Sequence, residues 1–296
     1  VAIPSEAAGR RVLVTGASGF TGRYVIQALQ ETGQQVVALA AADGSSVDLL
    51  DRSAVEAAVR AARADVVVHL AAIAFVAHGD VDEMYRVNIV GTRNLLAALA
   101  GLEQPPSQVI LASSANVYGN SPGSLDEQVP PQPVNDYAVS KLAMELMARQ
   151  FADRLPLTIV RPFNYTGVGQ SVSFLIPKIV DHFKRRAERL ELGNLHVSRD
   201  FNDVRNVAMT YSRLSLLPGT GEVFNICSGH EHTLLEVVSM MEEIAGYRPE
   251  VTVNPAFVRP NEVKKLIGDP SKIDAVVGPL PRWDLRQTLQ WMYESA

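Results

Sequence analysis

Short apolar runs alternate with stretches of helical periodicity over most of the chain. The runs Arg11-Val12-Leu13-Val14, Val36-Val37-Ala38-Leu39, Val66-Val67-Val68-His69, Val109-Ile110-Leu111 and Leu157-Thr158-Ile159-Val160 predict strands. Between them, residues 21–33, 52–64, 81–100 and 137–154 predict helices. Strands that stay apolar throughout bury both faces, so the pattern predicts a parallel sheet covered on both sides. Right-handed crossovers make it a doubly wound α/β (Rossmann) sheet.

After Asn164 the rhythm changes. Residues 171–189 look helical and rather basic, and residues 190–201 read as loop and short strand. Residues 204–217 and 223–226 restore one helix–strand unit, and from His230 two helices are broken by a Pro- and Asn-rich stretch at 248–261. The expected division is a dinucleotide-binding Rossmann domain of residues 1–165 and 201–227, with a smaller C-terminal α/β substrate-binding domain of residues 166–200 and 228–296.

Composition narrows the classes. The chain of 296 residues carries 27 basic against 32 acidic side chains, a net charge of −5, so no global positive field favours nucleic acid as a partner. The one cysteine, Cys227, excludes an intrachain disulfide and a cysteine-rich zinc site, and no metal is expected. Following the apolar run Val223-Phe224-Asn225-Ile226, it reads as a buried thiol. No secretory pattern opens the sequence, and no apolar run approaches the ~20 residues of a membrane span. The expectation is a cytoplasmic protein without a membrane partner. Val1 to Arg10 has no periodicity and reads as a tail.

Directly after the first strand stands Thr15-Gly16-Ala17-Ser18-Gly19-Phe20-Thr21-Gly22. Three glycines at a strand-to-helix turn allow a tight turn at Gly16, close approach of a pyrophosphate at Gly19 and helix–sheet packing at Gly22. The pyrophosphate would sit at the positive end of the helix. The end of the second strand offers Ala40-Ala41-Ala42, neither an acid for the ribose hydroxyls nor an Arg for a 2′-phosphate. Arg23 either reaches a 2′-phosphate or is an exposed helix charge. Asp48-Leu49 has the placement to contact adenine. NAD and NADP both remain open.

Tyr137-Ala138-Val139-Ser140-Lys141 opens a helix, and positions i and i+4 share one face ~5–6 Å apart. A cation beside a phenol of pKa near ~10 stabilises phenolate, which would make Tyr137 an acid/base near neutrality. Ser113-Ser114 follows an apolar strand and so emerges at the carboxyl end of the sheet, where ligands of this fold bind. One of the two hydroxyls can bond a substrate oxygen, while the other satisfies turn backbone.

The glycine turn, His69-Leu70-Ala71-Ala72, Asn88-Ile89-Val90-Gly91-Thr92, Ser114 to Gly119 and Tyr137 to Lys141 together resemble the extended short-chain dehydrogenase/reductase family over nearly the whole chain. Its members include nucleotide-sugar epimerases, dehydratases and reductases. The resemblance implies that Ser114 is the catalytic hydroxyl, Tyr137 the acid/base, and Lys141 the group that also holds the nicotinamide ribose. It places Gly16, Gly19, Phe20, Thr21, Gly22, Leu70, Ala71 and Ala72 around an NAD or NADP cofactor. Family dehydratases carry an acid just after the catalytic hydroxyl. Here Ala115 and Asn116 stand there, and neither can move a proton.

Three further segments, Arg161 to Asn164, Val197 to Phe201 and Arg259 to Val263, look like the family's nucleotide-diphosphate clamp, with Asn164, Arg199, Arg259 and Glu262 on the substrate. Guanidinium groups suit that task because they bind phosphate oxygens through paired hydrogen bonds. Leu192 to Leu195, Val223 to Gly229 and Pro260 to Gly268 resemble the GDP-sugar branch. That likeness implies reduction of the C4 ketone of a GDP-linked 4-keto-6-deoxy sugar, GDP-4-keto-6-deoxy-D-mannose giving GDP-D-rhamnose. The rivals are a nucleotide-sugar 4-epimerase and a non-catalytic dinucleotide sensor. Surplus apolar residues on the helices at 81–100 and 137–154 predict a homodimer through a four-helix contact, as the resemblance also implies.

Overall fold

The computed structural model describes residues 9–74, 80–195, 197–257 and 263–295. Six strands, β1 (Arg11–Thr15), β2 (Gln35–Ala38), β3 (Val66–His69), β4 (Gln108–Ala112), β5 (Leu157–Pro162) and β9 (Val223–Ile226), form one sheet in the order β2-β1-β3-β4-β5-β9. All five pairings are parallel. The chain lays β2 on one side of β1 and β3 on the other. That reversal opens a crevice at the carboxyl ends of β1 and β3.

Alternation along β1 shows why the sheet is buried on both faces. Leu13 joins a core with Leu95, Leu96, Leu99, Met144 and Phe151, beneath α2 (Arg52–Ala62), α4 (Thr92–Ala100) and α5 (Asp136–Ala148). Val12 and Val14 point the other way, into a core with Val25, Leu29, Val207 and Tyr211 beneath α1 (Phe20–Glu31) and α7 (Val204–Ser215). The helix expected at 81–100 is present but changes pitch. α3 (Val81–Tyr85) passes through a π-helical segment, Arg86–Gly91, into α4. The side-chain amide of Asn88 in that segment bonds both backbone groups of Ile73, and its Nδ2 also donates to the Ser140 hydroxyl at 3.0 Å.

Beyond β5 the chain adds β6 (Asn164–Thr166), α6 (Leu175–Lys184), β7 (Arg189–Leu192), β8 (Ser198–Asp203), β10 (Glu231–Thr233), α8 (Leu234–Ala245), β11 (Glu250–Val253), β12 (Lys265–Leu266), α9 (Ser271–Val277) and α10 (Leu285–Glu294). Ile179, Phe183, Leu190, Leu192, Val237, Met241 and Leu289 pack as a third core around them. Capping boxes at Thr233/Glu236 and Asp284/Gln287 start α8 and α10.

Three local expectations need correction. The helix of 171–189 shortens to α6, because Ser171 and Ser173 bond each other at 2.8 Å in a turn and Arg186 adopts a left-handed φ of 50° just past its end. The stretch 248–261 holds a strand, β11, paired in parallel with β7. From His230 onward there are three described helices rather than two. Cys227 is buried, as read from its apolar setting, and burial pushes its thiol pKa up. No described helix is long and apolar enough to cross a membrane.

Candidate active site

A cavity of about 550 Å³ opens at the carboxyl ends of β1, β3, β4 and β5. Gly16, Gly19, Phe20, Thr21 and Gly22 form one wall, and Leu70, Ala71 and Ala72 another. Gly16 has a φ of +68°, and a Cβ there would stand 2.9 Å from the Ala71 nitrogen. At Gly22 a Cβ would meet the Gly16 carbonyl oxygen at 2.2 Å. No side chain caps α1, whose N-cap is Gly19. Bare backbone, close packing and an uncapped helix start suit an anionic pyrophosphate, so these residues fit a dinucleotide.

Ser114, Tyr137 and Lys141 line the same cavity. Ser114 ends the extended run after β4 and caps the 3₁₀ turn Ala115–Tyr118. Its Oγ accepts from the Asn116 backbone N–H at 3.2 Å and from Asn116 Nδ2 at 3.0 Å, which leaves its own proton to donate elsewhere. Asn135 caps α5 by accepting the Ala138 N–H at 2.9 Å, and this sets Tyr137 in the first turn facing Ser114. Burial raises the Tyr137 phenol above its ordinary value, Tyr165 adds to the rise, and the bond with Ser114 opposes it. The expected lowering by Lys141 does not occur. Lys141 Nζ donates to the Ala112 carbonyl at 2.7 Å, and burial pulls its own pKa down to about 8.

Ser113, the other hydroxyl of the pair, donates to the buried Glu145 carboxylate at 2.5 Å rather than to turn backbone. Below the site His69 bridges β1 and α4. Thr92 Oγ1 donates to the Asn88 carbonyl, so it accepts from His69 Nε2 at 2.8 Å. Nδ1 is then the acceptor for Thr15 Oγ1 at 2.7 Å, and Thr15 in turn accepts the Ala71 N–H. Burial pulls the His69 pKa down to about 3, so the ring is a neutral strut.

Elsewhere along the cavity, Asn164 stands exposed at its edge, joined by Tyr165, Gln170 and Phe174. Tyr165 bonds Thr21 at 2.7 Å, Tyr24 donates to the Val168 carbonyl at 2.7 Å, and Arg23 reaches the Gly169 carbonyl at 3.4 Å. Residues 165–169 are thereby laid across the start of α1. Arg199 is not on the cavity wall. Its Nη1 donates to the carbonyls of Ser198 and Lys264 on β8 and the β12 approach. Arg259 and Glu262 lie outside the described residues.

Arg161 departs from the clamp expected of its segment. It is 3% exposed and holds Glu145 through two hydrogen bonds, at 2.9 and 2.7 Å. Leu49 and Asp48 also stand apart from the cavity. Leu49 is buried against Gly91 in the core, where an apolar side chain is most stable, and the exposed Asp48 accepts the Leu50 N–H at 2.8 Å. Tyr165, Gln170 and Glu145 were not singled out in the sequence. Only Glu145 carried a signal there, its place four residues past Lys141.

Residues 12–227 match the model of the NAD-dependent epimerase/dehydratase family. The chain belongs to that family. It is 35% identical to GDP-6-deoxy-D-talose 4-dehydrogenase of Aggregatibacter actinomycetemcomitans, over 96% of this chain and 97% of that protein. It is 33% identical to GDP-6-deoxy-D-mannose reductase of Pseudomonas aeruginosa, over 95% of each. Among solved structures, RMD from Pseudomonas aeruginosa complexed with NADPH has a TM-score of 0.86 at 31% identity, over 96% of this chain and 97% of that one. The doubly wound fold and the NAD or NADP requirement follow, and the chain is an enzyme acting on nucleotide sugars.

Proposed function

We propose that the enzyme reduces the C4 ketone of GDP-4-keto-6-deoxy-D-mannose with NADPH or NADH. The observation that carries this reading is the Ser114–Tyr137 pair beside the glycine turn, with a neutral Asn116 where a dehydratase needs an acid. Gly16, Gly19, Phe20, Thr21, Gly22 and Leu70 to Ala72 would hold the dinucleotide, with Lys141 on its ribose. When bound, the dinucleotide supplies the hydride.

The chain's own part is the proton. Tyr137 keeps its proton through neutral pH because burial raises its pKa, and a protonated phenol is what an alkoxide forming at C4 requires. Ser114, both of whose acceptor positions face Asn116, donates its hydroxyl to the same oxygen. Asn164, Arg199, Arg259 and Glu262 are assigned to the GDP portion. The arginines suit paired bonds to phosphate oxygens.

The product follows from the ketone face turned to the hydride. GDP-D-rhamnose is the first reading, on the likeness of residues 192–195, 223–229 and 260–268 to GDP-sugar reductases. GDP-6-deoxy-D-talose is the second, favoured by the relative named for that sugar, which is 35% identical. The two products are C4 epimers, so one acid and one ketone serve either. We also assign a cytoplasmic location and a homodimer, the dimer being supported by the exposed apolar side chains on α3, α5 and the π-helical segment.

Mixing the enzyme with GDP-4-keto-6-deoxy-D-mannose and 4-deuterated NADPH tests the reading. The expected result is NADPH oxidation with deuterium at C4, and in a parallel run with unlabelled NADPH the proton couplings of H4 distinguish the two epimers. Absence of NADPH consumption would overturn it, and C4 epimerisation of a GDP-sugar without added NADPH would assign a 4-epimerase instead.

A further inference from the structure

An acid that the proposed chemistry does not use lies directly behind the cavity. Glu145 stands one helical turn past Lys141, which stands one turn past Tyr137, so the three share a face of α5. Glu145 is fully buried. Arg161, from β5, holds it with Nε to Oε1 at 2.9 Å and Nη2 to Oε2 at 2.7 Å. The guanidinium itself lies 4.9 Å from the centre of the buried Tyr118 ring. A buried ion pair is weak support for stability, because apolar residues of similar volume often serve as well. Its place beside the reacting groups points to another role.

Two bonds tie the end of β4 to α5. The Ala112 carbonyl receives Lys141 Nζ at 2.7 Å, and the next residue, Ser113, donates to Glu145 at 2.5 Å. The residue after that is Ser114. We propose that Glu145, gripped by Arg161, is a positioning residue that fixes the Ser113–Ser114 strand end against α5 and keeps a compensating negative charge behind Lys141. The inference rests on the assignment of Ser114, Tyr137 and Lys141 made above.

The charges around Lys141 support the second role. Tyr137 and Glu145 face it from α5, His69 from β3, and Arg161 stands behind Glu145 on β5. His69 is neutral with a pKa of about 3, and the Tyr137 phenol is protonated. Glu145 is then the negative charge that opposes burial in holding the lysine proton.

The experiment is a ¹³C NMR titration of the full chain labelled at lysine Cε, with Lys141 identified among the six lysines by its loss in Lys141→Arg. Glu145→Gln keeps an oxygen for Ser113 but removes the charge, and the Lys141 midpoint should fall by about one pH unit or more. Arg161→Met leaves Glu145 unneutralised and should move the midpoint up. Opposite shifts from the two halves of one ion pair are not what general loosening produces. If Glu145→Gln does not fold, the uncharged double variant Glu145→Gln/Arg161→Met takes its place, with a fall again expected. An unmoved midpoint, or a shift of the same sign in both single variants, would overturn the charge role. Ser113→Ala, which cuts only the strand tie, should lower kcat several-fold without moving the midpoint, and an unchanged kcat would overturn the positioning role. The titration involves no sugar nucleotide, so its failure is separate from failure of the reductase reading.

Discussion

Two hydroxyls converge on one point of the cavity and are held there by different means. Tyr137 is set by an Asn-capped first turn, and Ser114 by the amide and backbone of Asn116. Removing the phenol oxygen takes away the proposed proton donor alone. Tyr137→Phe should therefore lower kcat by ~10²–10⁴-fold while NADPH titration by fluorescence stays as in the wild type. Retention of more than about a tenth of kcat would remove Tyr137 from the role. Arg199→Ala should weaken GDP binding by ~1.5–3 kcal/mol and leave NADPH affinity in place, as separate calorimetric titrations would show. Equal losses for both ligands would point to damage to β8, where Arg199 also holds two carbonyls. Lys141 gives a pH signature. Its pKa is 10.5 ordinarily and about 8 in the fold, so between these values the unfolded chain binds the extra proton. Stability from this group rises with pH across that window, and below about pH 8 its burial cost is fully present. Urea unfolding of the wild type and of Lys141→Met should diverge in slope over that range, and parallel curves would refute the buried charge.

At the scale of elements, the glycine turn and the strand it follows act as one unit. Gly22→Ala would press a methyl group to 2.2 Å from one backbone oxygen and 2.8 Å from another, and backbone there cannot give way as a side chain can. The expected cost is ~1–3 kcal/mol in chemical denaturation, with NADPH binding weakened as well. Wild-type stability and affinity in that variant would show the turn to be looser than described. Elements like this were legible in the sequence because their signals are local: Val12, Leu13 and Val14 are apolar on both faces, and the glycines sit at fixed offsets behind them. The strand β11 and its pairing with β7 were not, since Arg189 to Leu192 finds its partner at Glu250 to Val253, and no local pattern announces a distant parallel pairing. The same limit applied within the site. Tyr137 and Lys141 could be paired from helical spacing, but Arg161 was seen only as part of a segment resembling the clamp. Only the fold brings β5 alongside α5 and shows its guanidinium already spent on Glu145.

For the whole molecule, the question is what covers the outer side of the layer built by α3, α4 and α5. Many apolar residues of these helices are accounted for within the chain: Leu95, Leu96, Leu99 and Met144 all lie in the sheet's core, as does Phe151 just past α5. The surplus is carried by others. Val81 is 38% exposed, Val90 45%, Val139 39% and Leu146 53%, and they stand on neighbouring helices. Tyr85, between them in sequence, donates to Asp136 at 3.0 Å and joins α3 to the start of α5. A two-fold axis across this layer would bring the same helices of a second copy against it, with each exposed valine and leucine covered by its symmetry-related set. Stable interfaces of this kind bury roughly 1,200–2,000 Å², which needs several helical turns from each partner rather than one side chain. The expected outcome is a dimer by sedimentation equilibrium at micromolar concentration. Val90→Glu with Leu146→Glu should convert it to a folded monomer, because both side chains are exposed in the single chain and a carboxylate there harms only an interface. Charge at Leu96 would not discriminate, since that residue is fully buried and its loss would unfold the sheet's cover. A wild-type monomer would refute the dimer, and a dimer that survives both glutamates would place its interface on another face.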